Sequence, residues 1–112
     1  LIDEGEAVAE AEYQEAKEGR LRLRKELDAT LSAAGASAWL SPATVGPAPE
    51  GISSTGNPVM NLPWTYAGLP TVATPSGNAA NGLPLSLQIA GAFGGEEALL
   101  LLSQTVEEKL RA

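Results

Sequence analysis

Residues 61–91 read "NLPWTYAGLPTVATPSGNAANGLPLSLQIAG", and the fold of the chain turns on how this stretch is read. "PTVATP" (70–75) sets β-branched residues between two prolines and predicts a strand. "SGNAANG" (76–82) is polar and bounded by glycine, which is turn chemistry. "LPLSLQIAG" (83–91) alternates, with Leu85, Leu87 and Ile89 on one side, and predicts a second strand. Two strands joined by so short a turn are neighbours in one sheet. Just before them, "NLPWTYAG" (61–68) supports only a short helical turn, because Pro63 and Gly68 limit it.

Working outward, "GAFGG" (91–95) turns the chain into a last helix, "EEALLLLSQTVEEKLRA" (96–112). Leu99, Leu102, Val106 and Leu110 form its apolar side, and Glu96 and Glu97 sit favourably at its positive N-terminal end. In the other direction, residues 42–58 hold prolines and glycines that break every periodicity, which predicts an ordered loop. "SAWLSP" (37–42) is a short buried-strand candidate closed by Pro42. Residues 7–33 read as one long helix, with Tyr13, Ala16, Arg20, Leu23, Leu27 and Leu31 on one face and Gly35 placed to cap its end. Gly5 sets residues 1–4 apart as the end of an earlier helix. Gly19 weakens the long helix by up to about 1 kcal/mol relative to alanine. The order helix, strand, loop, two adjacent strands, helix predicts an α/β arrangement in which helices cover a sheet.

The 112 residues include no cysteine and no histidine. That removes disulfides, thiolate chemistry, the commonest general base and the commonest zinc ligand. A net charge of −7 offers nothing for phosphate backbones or anionic lipids to hold, so neither nucleic acid nor membrane is an expected partner. With no apolar run long enough to span a bilayer and no signal peptide, a cytoplasmic protein is expected. Nine of the fourteen acids and five of the seven bases lie between Asp3 and Asp28, and Glu50 is the only charge between Asp28 and Glu96. An exposed surface normally carries far more charge. The middle of the chain is therefore expected to be enclosed by other protein. The start at Leu1 rather than methionine agrees with a piece of a larger polypeptide.

Ser53 and Ser54 in "GISSTGNPVM" (51–60) look like a nucleophile and its relay. A serine needs a base within hydrogen-bond reach, and the lysines lie at 17, 25 and 109 on the two helices. Loop-forming neighbours make the pair a turn element. "GAFGG" lacks the spacing of a phosphate loop, and Glu96 and Glu97 would repel phosphate there. No carboxylate pair or converging metal ligands stand away from the helices. No catalytic, cofactor-binding or metal residue is assigned to this chain. Met60, Asn61 and Trp64 are the substrate-cleft candidates, because they cluster around a proline in an uncharged, irregular segment that rigid strands position.

The run from Ser54 to Leu102 resembles the C-terminal part of amidase-signature enzymes. Thr65 to Gly77 follows the pattern N-x-x-G-x-P-x-x-x-x-P-x-G with threonine in first place. Gly82-Leu83-Pro84 through Gln88 to Gly91 follows GLP-x-x-x-Q-x-x-G, and Glu96-Glu97 supplies the acidic start of the last helix. The helix bearing Tyr13, Ala16 and Arg20, then "AWLSPAT" (38–44), extends the resemblance over essentially the whole chain. The resemblance implies a mixed β-sheet covered by α-helices, of which residues 1–112 are the C-terminal portion. It implies hydrolysis of carbon–nitrogen amide bonds by a serine relayed through a second serine and a lysine, all upstream of this chain, with no metal or organic cofactor. The expected partners are a small-molecule amide substrate and the remainder of the amidase polypeptide, and a homodimer stays open. Amidotransferase A subunits that act on glutamyl-tRNA place an acidic residue just before the first pattern, and Asn57 to Asn61 hold none. A neutral or hydrophobic amide therefore fits better. Two other readings stand beside this one: a non-catalytic interaction or scaffold module, and a fragment of a glutamyl-tRNA amidotransferase of that type.

Overall fold

The computed structural model describes residues 2–111. Helix α1 (Ile2–Glu6) precedes the long helix α2 (Glu10–Ala34), then strand β1 (Trp39–Pro42), a 3-10 turn (Pro58–Met60) and helix α3 (Leu62–Ala67). Strands β2 (Thr71–Asn78) and β3 (Pro84–Ala90) follow, and helix α4 (Glu96–Arg111) closes the order. The α/β class and the strand–turn–strand unit read from residues 61–91 are present. β3 is the central strand of a three-stranded sheet, in the order β1-β3-β2, with antiparallel pairing on both sides.

Several element limits differ from the sequence reading. The first helix runs through Gly5, and α2 starts at Glu10 rather than residue 7. Ala9 stands before it in an extended conformation with no side-chain cap. β2 continues past Pro75 to Asn78. Ladder bonds alternate along an antiparallel pair. Gly91 N donates to Pro70 O, so positions 70, 72 and 74 face β3 and position 75 faces outward. A proline there forfeits no ladder bond. The strand then absorbs one extra residue as a bulge between Pro75 and Gly77. Pro42 obeys the same rule on β1: Ala43 N donates to Ser86 O at 2.9 Å, which turns residue 42 to the open side. Both edge strands thus carry their proline where no bond is lost.

The core lies at the end of β3. Ile89 is fully buried, and Ala90 and Leu99 nearly so. At Gly91 a Cβ would stand 3.2 Å from Leu99 Cβ, so the glycine lets α4 close on the sheet. On α2 only Leu31 is buried, with Leu23 and Leu27 half-buried. The α2–α3 contact is polar. The Tyr66 hydroxyl donates to Ala16 O, and Arg24 Nε donates to Ala67 O at 2.7 Å while its guanidinium lies over the Phe93 ring. Gly68, at φ 71°, ends α3 in the left-handed conformation, and a Cβ there would meet the guanidinium groups of Arg20 and Arg24.

The molecule is flat and open. Its extents are 51 × 41 × 20 Å and its radius of gyration is 16.7 Å, against about 13 Å for a compact domain of ~100 residues. Its accessible surface is 8095 Å², where a folded monomer of this mass exposes roughly 5,800 Å². Leu40, Val45, Ile52, Leu100 and Leu101 are among the exposed apolar side chains.

Candidate functional site

The candidate cleft opens where β1 passes into the loop. After the Ala43–Ser86 bond the chain leaves the sheet, and Thr44 Oγ1 donates to Gly46 O at 2.6 Å. The loop returns through Thr55, Gly56 and Asn57 to the 3-10 turn. Asn57 caps that turn, its Oδ1 accepting from Val59 N at 2.9 Å. Residues 43–49 and 55–58, Asn61, and Pro84 and Ser86 of the β3 end enclose a cleft of about 410 Å³. Proline fixes φ, and Pro47, Pro49, Pro58 and Pro84 all line it, so a wall without regular structure is stiff.

Each candidate residue has a definite place. Asn61 lines the cleft, and its Nδ2 donates to Ala43 O at 3.4 Å, tying the start of α3 to the end of β1. Met60 lines an adjoining hollow of about 540 Å³ on the β1 side, and its carbonyl accepts from Gln88 Nε2 at 3.0 Å. Trp64 packs on Trp39 with ring centroids 6.1 Å apart and lines neither space. The structure thus brings Asn61 and Met60 to neighbouring hollows and sets Trp64 behind them. Thr44, Asn57 and Ser86 also line the cleft. No periodicity marks them, and only their position in an uncharged, proline-rich loop could have pointed to them. Gln88 is a different matter, because the GLP-x-x-x-Q-x-x-G pattern singles it out. The structure shows why an amide suits that place: at 4% exposure, Gln88 holds the 3-10 turn onto the sheet.

Chemically this wall can hold a substrate but offers no activated nucleophile. Ser53 and Ser54 are exposed, and Ser54 Oγ accepts from Gly56 N at 3.1 Å within its own turn. Lys17 and Lys25 are on α2 and Lys109 is on α4. No charged side chain among the described residues lines the cleft. Nor do the described residues hold a group of three or more His, Cys, Asp or Glu suited to a metal ion. No described helix is long and apolar enough to cross a membrane.

The family described as Amidase matches residues 1–100, a span that takes in both the cleft wall and the sheet. Similar curated proteins include the glutamyl-tRNA(Gln) amidotransferase A subunit of Xanthobacter autotrophicus, 35% identical over 88% of this chain and 22% of that protein. The protein of the same name from Bartonella henselae is 32% identical over 88% of this chain and 22% of its own length. The one from Nitrobacter hamburgensis is 35% identical over the same shares. The chain thus spans about a fifth of the length of these relatives.

Proposed function

The chain belongs to the Amidase family, and from that premise we propose that it is the C-terminal portion of an amide hydrolase, supplying cleft wall and sheet while the reacting groups lie elsewhere in the polypeptide. One observation carries this reading. A stiff, uncharged cleft is built by the region that matches the family, yet no nucleophile in it has a base at hand. In this proposal Asn61 forms part of the wall directly. Met60 and Trp64 act from behind it, Met60 through its carbonyl and Trp64 through its stack on Trp39. The substrate is a small amide, the protein partner is the remainder of the same polypeptide, and the setting is the cytoplasm.

The chemistry follows from what an amide needs. Its carbonyl must be attacked by an activated oxygen, and the resulting oxyanion must be met by preorganised donors. The wall described here contributes orientation and exclusion of water, which raise the rate only when the attacking groups are assembled opposite it. The resemblance assigns the attack to a serine relayed through a second serine and a lysine upstream.

A phosphonate that labels reactive serines, applied to the complete polypeptide, is expected to modify a serine outside residues 1–112. Ser53→Ala and Ser54→Ala should leave turnover of an aryl amide within about twofold, the effect of surface changes away from the chemistry. Labelling of Ser53 or Ser54, or hydrolysis by residues 1–112 alone, would overturn the proposal.

The names of the relatives favour a second reading, in which the complete polypeptide is the A subunit of a glutamyl-tRNA amidotransferase. Ammonia release from glutamine, stimulated by further subunits, would support it. Hydrolysis of neutral amides with glutamine untouched would support the first.

A further inference from the structure

We propose that Arg24 is a positioning residue for the candidate cleft, holding Asn61 in its wall through helix α3. The inference rests on the reading that this cleft binds the amide substrate, and it names a residue that sets the wall from outside. α3 ends at Ala67, so the Ala67 carbonyl has no partner within its own helix. Arg24 Nε donates to it at 2.7 Å from a half-buried place on α2. The guanidinium lies 3.6 Å from the centre of the Phe93 ring. It also stands so close to the end of α3 that a Cβ on Gly68 would be 2.9 Å from one of its nitrogens. A planar group bonded at its edge and stacked on its face is held in one orientation. Asp28 stands four residues on, the spacing at which an acid and an arginine pair on a helix. Among the described residues no ion pair joins the two, and Asp28 Oδ1 has no hydrogen-bond partner. Arg24 is thus directed to α3 rather than to its own helix.

Asn61 stands immediately before the first turn of the same helix, where it lines the cleft and donates to Ala43 O. α3 has six residues, about 9 Å of rise, and Thr65 N donates to Asn61 O at 3.0 Å. So short and internally bonded a piece moves as one body. Two side-chain ties hold it to α2: Arg24 to Ala67 O, and the Tyr66 hydroxyl to Ala16 O. Two ties fix the direction of a rod, whereas one leaves a pivot. Without Arg24, α3 turns about the Tyr66 tie and swings Asn61 relative to Ala43. Their bond, at 3.4 Å, is at the long limit for a hydrogen bond, so a small swing breaks it. The wall then holds substrate less well, while the attacking groups that the same reading puts elsewhere in the polypeptide are untouched.

Kinetics of the complete polypeptide on an aryl amide test this. Arg24→Met keeps the stem and removes the donor. It is expected to raise KM about fivefold and leave kcat within about twofold, the pattern of lost binding rather than lost chemistry. In an Asn61→Ala background the same change should move KM by less than about twofold, because a residue that acts through another adds little once that other is gone. Arg24→Lys, which can still reach Ala67 O, is expected to recover most of the KM. Should Arg24→Met fail to fold, Phe93→Leu removes the ring, leaves the Ala67 bond and runs the same cycle, with KM up about threefold beside an intact Asn61. Hydrogen exchange gives a readout free of turnover: in Arg24→Met the Thr65 amide should exchange about tenfold faster, and in Arg24→Lys near the parent rate. Equal KM changes in both backgrounds, a fall in kcat at constant KM, or unchanged Thr65 exchange would overturn the proposal. Absence of hydrolysis in the parent protein counts instead against the amide-hydrolase reading, and the exchange rates still decide the role of Arg24.

Discussion

Gly19 sits within a helix of 25 residues, a place where alanine is ordinarily better by about 1 kcal/mol. A Cβ at this position would stand 2.8 Å from the Tyr66 hydroxyl, which donates to Ala16 O. Tyr66 would have to withdraw and give up that bond, worth about 0.5–1.5 kcal/mol. Gly19→Ala is therefore expected to bring no gain in stability, whereas in a Tyr66→Phe background it should add about 0.5–1 kcal/mol. Urea unfolding of the four-variant cycle in the complete polypeptide measures this, and equal effects in both backgrounds would show that the phenol does not set the residue. Gln88 makes the complementary case, a buried polar group whose partner matters. Gln88→Leu leaves Met60 O without its donor and should destabilise by about 1–3 kcal/mol. It should also loosen the turn behind Asn61, raising KM for the amide more than it lowers kcat. A change in neither stability nor KM would detach Gln88 from the cleft.

At the scale of elements, what could be read from sequence followed from what each residue does locally. β3 and α4 were legible because Leu85, Leu87, Ile89, Leu99 and Leu102 repeat with the period of their element, and the end of α2 because Gly35 takes the left-handed cap. The tail of β2 was not, since a proline ends a strand only when its missing N–H faces the partner, and facing is fixed by pairing. The cleft wall between 43 and 58 has no period at all, and its shape comes from Asn57, Thr44 and Asn61 bonding to backbone. Burial of hydroxyls was equally hidden. Thr74 and Ser103 are 3% and 5% exposed, between β2 and α4, and neither hydroxyl has a hydrogen-bond partner. A desolvated, unpaired hydroxyl costs about 1–3 kcal/mol, and valine matches threonine in shape. Thr74→Val is expected to stabilise the complete polypeptide by about 1 kcal/mol, read as a higher urea midpoint at unchanged slope. A loss of stability would mean that the hydroxyl is bonded in solution.

For the whole molecule, the decisive quantity is surface. The flat shape, the excess exposed area and a middle with Glu50 as its one charge describe a layer without its covering layers. A sheet needs apolar cover on the faces it does not turn to water. Here α4 covers part of one face, while Leu40 remains largely open and Leu100 and Leu101 point away from the core. The heat of cooperative unfolding scales with the surface buried in the fold, and a complete domain absorbs about 0.7 kcal/mol per residue near 60 °C. Residues 1–112 in isolation should fall well below the ~80 kcal/mol that this figure gives for their length. Calorimetry on the isolated chain is expected to show a broad transition with less than about half that heat. In the complete polypeptide, the same residues should unfold with the rest in one cooperative event. A sharp transition carrying the full heat in the isolated chain would mean that these elements are covered well enough by one another. The exposed leucines would then need another explanation than a missing layer of the same protein.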